Sequence, residues 1–269
     1  MGAKVEAEAY AGMAVSEGRH WWFRGRRRVL AAVIGRLALP RAARILELGS
    51  GTGGNFEMLA RHGRVTAVEM NEWARAASLR KATPVLDVRS GRLPAGLALD
   101  GETFDLVCAF DVLEHVEEDE ASLRTIRDCL APDGAAIITV PAFRWLWSPH
   151  DERLHHKRRY GRAELRGKIL DAGLVTEKLT YYNVLLFPAA VMARIFDRLT
   201  RRKRTTGDAD LPGFLNDILA FLFGCERHLI GAMNFPVGLS LLAIVRRPGM
   251  AAASQSPPAD TSKSVMVAG

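Results

Sequence analysis

The sequence predicts an α/β protein built on a parallel, doubly wound sheet, and three observations carry that reading. Short, near-continuously apolar segments recur at Arg44–Leu48, Arg64–Val68, Phe104–Phe110 and Ala135–Val140, the pattern of strands covered on both faces. Helical segments alternate with them, which favours crossover connections and a parallel sheet. The first strand also runs directly into Gly49-Ser50-Gly51-Thr52-Gly53-Gly54. A turn so rich in glycine lets the backbone approach a ligand and presents free N–H groups at a helix start.

From about Ala3 to Ala38 the pattern is helical, broken near Gly18. Val29, Leu30, Val33 and Leu37 form an apolar stripe, and Trp21, Trp22 and Phe23, being adjacent, cannot all share that face. Two readings follow: a helix docked on the core with a solvated basic face, or a lid whose aromatics, Trp22 among them, close over a ligand. Aromatic and basic residues interleaved in this way also suit nucleic acid. Pro40 ends the region. Helices are expected at Asn55–Arg61 and Glu72–Lys81, with a third strand, Val85–Val88, after them. Asp119–Leu130 reads as an amphipathic helix closed by Pro132-Asp133-Gly134. The stretch Pro141–Tyr160 has little periodicity and is dense in Trp, His and Arg. A helix at Gly161–Ala172 stops at Gly173, and Leu174–Tyr182 reads as a strand. Val184–Leu199 and roughly Leu211–Met233 read as apolar helices, Leu239–Val245 as a last buried strand, and everything past Arg247 as a small, polar, disordered tail.

At 269 residues the chain suits one large domain or a domain with an added lobe. Its formal charge of +7 allows an anionic partner without selecting one. Cys108, Cys129 and Cys225 lack the spacing of a disulfide framework or zinc knuckle. No signal-peptide pattern opens the sequence, and no apolar run reaches the length of a membrane span. A cytoplasmic protein is expected.

Gly49-x-Gly51-x-x-Gly54 fits the dinucleotide fingerprint, and Glu69 at the end of the second strand suits ribose hydroxyls in that setting too. A dinucleotide, however, brings a pyrophosphate to be neutralised. S-adenosylmethionine (SAM) has no phosphate and carries a sulfonium and an ammonium. Acidic residues near the loop are then useful, and Glu47 stands two positions before Gly49. Asp87, placed at the end of the third strand, could accept from the adenine amino group.

Glu47-Leu48-Gly49-Ser50-Gly51-Thr52-Gly53 resembles the first motif of class I SAM-dependent methyltransferases of the small-molecule type. Glu69, Asp87 and the block Phe104-Asp105-Leu106-Val107-Cys108-Ala109-Phe110-Asp111-Val112-Leu113-Glu114-His115-Val116 follow in that family's order and spacing. The resemblance covers roughly residues 20–182. It implies a Rossmann-like, seven-stranded, mostly parallel sheet whose last strand runs antiparallel. It further implies that Glu47, Gly49, Ser50, Gly51 and Gly53 hold the methionyl part of SAM, that Glu69 and Met70 take the ribose, and that Asp87 and Val88 take the adenine. Phe110 and Asp111 would line the transferred methyl. The alternatives are an NAD(P)-binding oxidoreductase or a non-catalytic SAM-binding module. Neither a Tyr-x-x-x-Lys pair nor a lysine in the glycine loop supports the former. An Asn/Asp-Pro-Pro-aromatic motif, which a nucleic-acid methyltransferase would favour, is replaced by Asp111-Val112-Leu113-Glu114, so no nucleic-acid partner is expected.

An oxygen or protonated nitrogen acceptor needs a base. His115 follows the fourth strand, and His156 lies in Ser148-Pro149-His150-Asp151-Glu152-Arg153-Leu154-His155-His156-Lys157-Arg158-Arg159-Tyr160, a run also found, with the Trp-Trp-Phe helix, in a bacterial subset of the resembling family. His156 is the preferred base or substrate ligand, with Arg158, Arg159, Tyr160 and Trp22 as substrate contacts; a small, anionic acceptor suits the arginines. The competing reading is a structural loop pinned by Asp–Arg pairs. His150, Asp151, His155 and His156 lack a convergent metal-ligand spacing, so no metal is expected. The domain plan is a lid over 1–40, a SAM-binding core over 41–182, a helical insertion over 183–237, the last strand over 238–247 and a tail over 248–269. The insertion is expected to be a lobe over the acceptor pocket, or, through 184–204 with Arg201-Arg202-Lys203-Arg204, a peripheral contact with the inner face of a membrane.

Overall fold

In a computed structural model the described residues are 10–12, 14–81, 83–200 and 211–249. The start of the chain, Arg201-Arg202-Lys203-Arg204 and the expected tail from residue 250 onward lie outside them. One seven-stranded sheet organises the fold. Its strands are β1 (Ala43–Leu48), β2 (Gly63–Glu69), β3 (Leu86–Ser90), β4 (Phe104–Phe110), β5 (Leu130–Pro141), β6 (Val175–Tyr182) and β7 (Ser240–Arg246). Their spatial order is β3-β2-β1-β4-β5-β7-β6. The first five pair in parallel, and β7 is antiparallel to both β5 and β6, as the resemblance implied. Ile45, Leu46, Leu106, Val107, Ile137 and Ile138 have no exposed surface, which is why the central strands read as unbroken apolar runs.

The helices are α1 (Trp21–Ile34), α2 (Phe56–Ala60), α3 (Glu72–Leu79), α4 (Asp119–Asp128), α5 (Pro149–Arg153), α6 (Arg162–Asp171), α7 (Phe187–Thr200) and α8 (Gly213–Cys225). Several boundaries depart from expectation: α7 starts at Phe187 and not Val184, and α8 stops at Cys225, before a 3₁₀ turn at Glu226–His228, and not at Met233. α4 ends at Asp128, because Leu130 already pairs with Phe104, so Pro132-Asp133-Gly134 is carried within β5 where the register shifts between Phe104 and Leu106. β3 runs on to Ser90. The aperiodic stretch after β5 holds a short 3₁₀ turn, Arg144–Leu146, and α5. Ser148 opens α5 with a capping box, Asp151 accepting from both its backbone N–H and its hydroxyl.

α1 buries Val29, Leu30, Val33 and Ile34 in the core shared with β1 and β4. Its outer flank is covered by α8. The Asn216 side chain accepts from Trp21 N–H at 2.7 Å and donates to Arg19 C=O at 2.7 Å, tying the start of α1 to the insertion. Phe223 packs edge-on to Trp21 and against Gly25, where an added Cβ would fall 2.5 Å from the Phe223 ring. The insertion is thus built on the N-terminal helix. Its other fixed point is Glu226, buried, which accepts from the backbone N–H groups of Asn183, Val184 and Leu185 at 2.6–3.0 Å.

Candidate active site

The sheet order reverses between β1 and β4, and in open α/β sheets ligands bind outside the carboxyl ends of the strands at such a point. There the loop after β1 holds Gly49, Gly51 and Gly53 at φ of +66°, +55° and +82°, values that favour glycine. Any Cβ on Gly49 would also meet the Val112 side chain at 2.7 Å. Gly49 N–H and Ser50 N–H donate to Val68 C=O, and Gly51 N–H donates to Glu69 Oε2 at 2.7 Å. Asn71 N–H donates to the other Glu69 oxygen at 2.7 Å. Burial raises the Glu69 carboxyl above its ordinary value against the pull of these amides. Met70, next along, is exposed.

Glu47 is buried at the end of β1. Asn55 Nδ2 donates to its Oε1 at 2.7 Å, while Oε2 is buried without a partner, as is Ser50 Oγ. Burial pushes the Glu47 carboxyl up to about 7, opposed by the Asn55 bond and the nearby Arg26 charge. An unpaired carboxylate oxygen in such a place suits a cationic ligand group, which would restore its ionised form. The residues present therefore fit SAM better than a pyrophosphate.

Asp87 and Val88 are not where the sequence reading put them. Asp87 pairs in register with Thr66 and Val88 with Ala67, whereas Glu69 stands opposite Ser90. The Asp87 side chain is over half exposed and ion-paired with Arg89 at 2.7 Å. Because β3 continues past them, the rim position belongs to Ser90, whose hydroxyl accepts from Arg75 at 3.1 Å.

At the end of β4, Phe110 is buried and Asp111 takes φ +57°. Asp111 ion-pairs with Arg26 of α1, which is buried and lies 4.5 Å from the Trp22 ring centroid and 5.9 Å from that of Phe110. The expected solvated basic face is corrected here. Arg26 falls on the helical row of Val29, Leu30 and Val33, a signal masked by its neighbours Arg24, Arg27 and Arg28. Glu17, just before α1, was not singled out by sequence at all. It is buried, accepts from Thr52 Oγ1 at 2.7 Å and ion-pairs with Lys81. The N-terminal segment therefore closes on the glycine loop.

The histidine-rich stretch divides in two. Asp151 is fully buried and accepts from His156 Nδ1 at 2.9 Å and from Arg159 Nε and Nη2 at 2.7 and 3.0 Å. Burial opposes its ionisation, but His156 and Arg159 hold its carboxyl well below the usual range. Arg159 also donates to Ala142 C=O, so its donors are turned inward. Tyr160 has no exposed surface and donates to Asp119 Oδ2 at 2.8 Å. Arg158 ion-pairs with Asp119 at 3.1 Å and donates to Glu117 C=O. The polar atoms of Arg159 and Tyr160 are thus engaged inside the protein and not held out toward the acceptor side where the sequence reading put them.

His156 and His115 do come together, with ring centroids 4.8 Å apart and edge-on. His115 keeps solvent contact as a residue, yet withdrawal of its ring from water, then His156 and His155, push it down to about 4. Beneath them lies Glu114, with no exposed surface and neither carboxyl oxygen hydrogen-bonded. Burial, then Asp111, raises its carboxyl well above the ordinary value, favouring the neutral acid. Among the described residues the ligand atoms of Glu114, His115 and His156 lie within 4.8 Å of one another. That convergent set differs from the one weighed in sequence, because Asp151 is saturated by its own loop.

The profile of a methyltransferase-domain family matches residues 22–177. The Probable S-adenosylmethionine-dependent methyltransferase of Mycolicibacterium smegmatis is 33% identical over 163 residues, 59% of this chain and 61% of that one. A ubiquinone biosynthesis O-methyltransferase of Xanthomonas campestris is 34% identical over 113 residues, 40% of this chain and 46% of its own length. The chain therefore spans less than two thirds of these curated relatives. Among solved structures, the complex between the Haloferax volcanii Trm112 methyltransferase activator and a methyltransferase contains a chain that matches with TM-score 0.60 and 19% identity, covering 91% of this chain and 95% of that one. This last likeness shows the fold.

Proposed function

The chain belongs to the class I SAM-dependent methyltransferases, and from that premise we propose that it moves a methyl group from SAM to a small-molecule acceptor by in-line displacement. The acceptor class is a natural product, glycosyl or lipid-linked intermediate. The observation that carries the reading is the set of carboxylates at neighbouring strand ends, Glu47, Glu69 and Asp111, around a glycine loop without a basic side chain. Bound SAM supplies an electrophilic methyl on a sulfonium.

In this reading the chain's own residues do the positioning. Glu47 offers its unpaired Oε2 to the ammonium, and Glu69, fixed by the amides of Gly51 and Asn71, keeps lone pairs for two ribose hydroxyls. Ser90, and not Asp87, borders the adenine. Arg26 holds Asp111 beside Phe110 and shuts the methyl side from water. Holding nucleophile, methyl and sulfur in line supplies most of the acceleration open to such a site. His156 donates from Nδ1 to Asp151, which leaves its Nε2 lone pair as the base toward the acceptor. His115 packs against that ring and limits its rotation. Arg158, paired with Asp119, and Trp22, beside Arg26, are the remaining acceptor contacts of this reading.

Titration calorimetry with SAM and with its demethylated product tests the cofactor assignment. Both should bind, and Glu69→Ala should weaken binding by about 10-fold or more, the loss of charge-assisted hydrogen bonds to a sugar. Tight NAD binding with none of SAM would overturn the reading. Binding of SAM without turnover on any acceptor in labelled-SAM screens of metabolite extracts would reduce it to a SAM-binding module.

A further inference from the structure

Every residue of α7 for which a burial can be stated is exposed or half-exposed. The helix is nevertheless apolar along one face: Met192, Ile195, Phe196 and Leu199 stand at helical spacing and are 64%, 44%, 50% and 79% exposed. A 14-residue helix is marginal by itself in water and ordinarily gains its stability by burying such a stripe. α8 repeats the pattern. It turns Ala220, Phe223 and Gly224 toward the protein and leaves Phe214, Ile218 and Phe221 exposed at i, i+4 and i+7. Two helices of one insertion thus each present an uncovered apolar row, far beyond the scattered exposure of an ordinary surface.

We propose that this insertion docks the protein onto an anionic lipid surface, with the exposed rows of α7 and α8 entering the interface. Charge argues for lipid. Thr200, the last residue of α7, is followed directly in sequence by Arg201-Arg202-Lys203-Arg204. An apolar helix face running into such a run matches a surface that is apolar below and negative above. A second copy of the chain is the poorer occupant, since each copy carries the same formal charge of +7 and like charges oppose the pairing. None of the helices among the described residues is long and apolar enough to cross a membrane, so the helices lie along the surface. At the start of α7, half-exposed Trp145 packs edge-on to Phe187 at 6.4 Å. An amphipathic ring there suits the headgroup level.

The test is co-sedimentation of the full chain with vesicles of phosphatidylcholine plus phosphatidylglycerol, and of phosphatidylcholine alone. The wild type should pellet with the anionic vesicles and far less with the neutral ones. Phe196→Ser/Leu199→Ser and, separately, Arg201→Ala/Arg202→Ala/Lys203→Ala/Arg204→Ala should each lower partitioning by about 10-fold or more, the second effect vanishing at high salt. SAM binding by both variants, which lie outside the proposed cofactor site, should stay at the wild-type value and serves as the folding control. Wild type remaining in the supernatant with anionic vesicles overturns the proposal. So does vesicle binding unchanged by both variants, or a finding that Phe196→Ser/Leu199→Ser instead converts a solution dimer to monomer. Should the serine variant fail to fold, the alanine variant decides alone.

Discussion

Glu47 carries the sharpest residue-scale consequence. Its carboxyl sits near 7 in the free protein and ordinarily near 4.5. The folded state thus binds more protons than the unfolded one between those values, and the contribution of Glu47 to stability is lost as pH rises through 7. SAM affinity should run the other way, because an ammonium needs the ionised carboxylate. Calorimetry should find binding about 10-fold weaker at pH 6 than at pH 8, with proton release, and Glu47→Gln should flatten the profile. A flat wild-type profile would remove Glu47 from contact with the cation. Asp151 makes a second prediction. If His156 is the base, Asp151→Asn should lower kcat by about 100-fold with little change in KM, and His156→Ala at least as much. A chelator should leave turnover unchanged; loss on chelation, restored by a divalent ion, would reassign Glu114, His115 and His156 as ligands. Glu47 was legible in the sequence because the glycines beside it announce its position. Tyr160 was not, since the polar residues around it conceal that tertiary contacts bury it completely. Asp87 was misplaced for a smaller reason: a strand end moved by two residues carries its rim with it.

At the scale of elements, periodicity located all seven strands of the sheet, and apolar alternation with helices was enough to predict the parallel core. Partnerships between distant elements were beyond it. Nothing local ties Gly25 to Phe223, yet α1 and α8 pack so closely there that a side chain has no room. Gly25→Val should destabilise the fold by about 1–3 kcal/mol through overpacking, read as a lower denaturant midpoint. Phe223→Ala in the same background should recover part of the loss. Independent, additive effects of the two changes would mean the helices do not meet at this point.

For the whole molecule, the two ends of the chain depend on one another. α1 supplies Arg26 to the site, and the outer flank of α1 is covered by the insertion. Removing residues 187–225 with a short bridge should therefore do more than delete a surface lobe. SAM binding should weaken by about 10-fold or more as α1 loosens, although no deleted residue touches the glycine loop. Unchanged binding would show that α1 holds its place through the sheet alone. The sequence suggested a lobe over the acceptor side; the structure attaches α8 to α1 and leaves α7 reaching outward.

That attachment bears on how the protein comes into being. The Trp21–Asn216 hydrogen bond joins residues 195 positions apart, so α1 gains its outer cover only once α8 has emerged. Until then only the parallel strands β1 to β5 can pair around a glycine loop whose wall is not yet held, since β6 must wait for β7. Catalytic competence would arrive late in translation, and an emerging chain with α7 already exposed would reach a lipid surface before it could bind its methyl donor well. A ribosome-stalled series ending before and after Cys225 should separate these two arrivals.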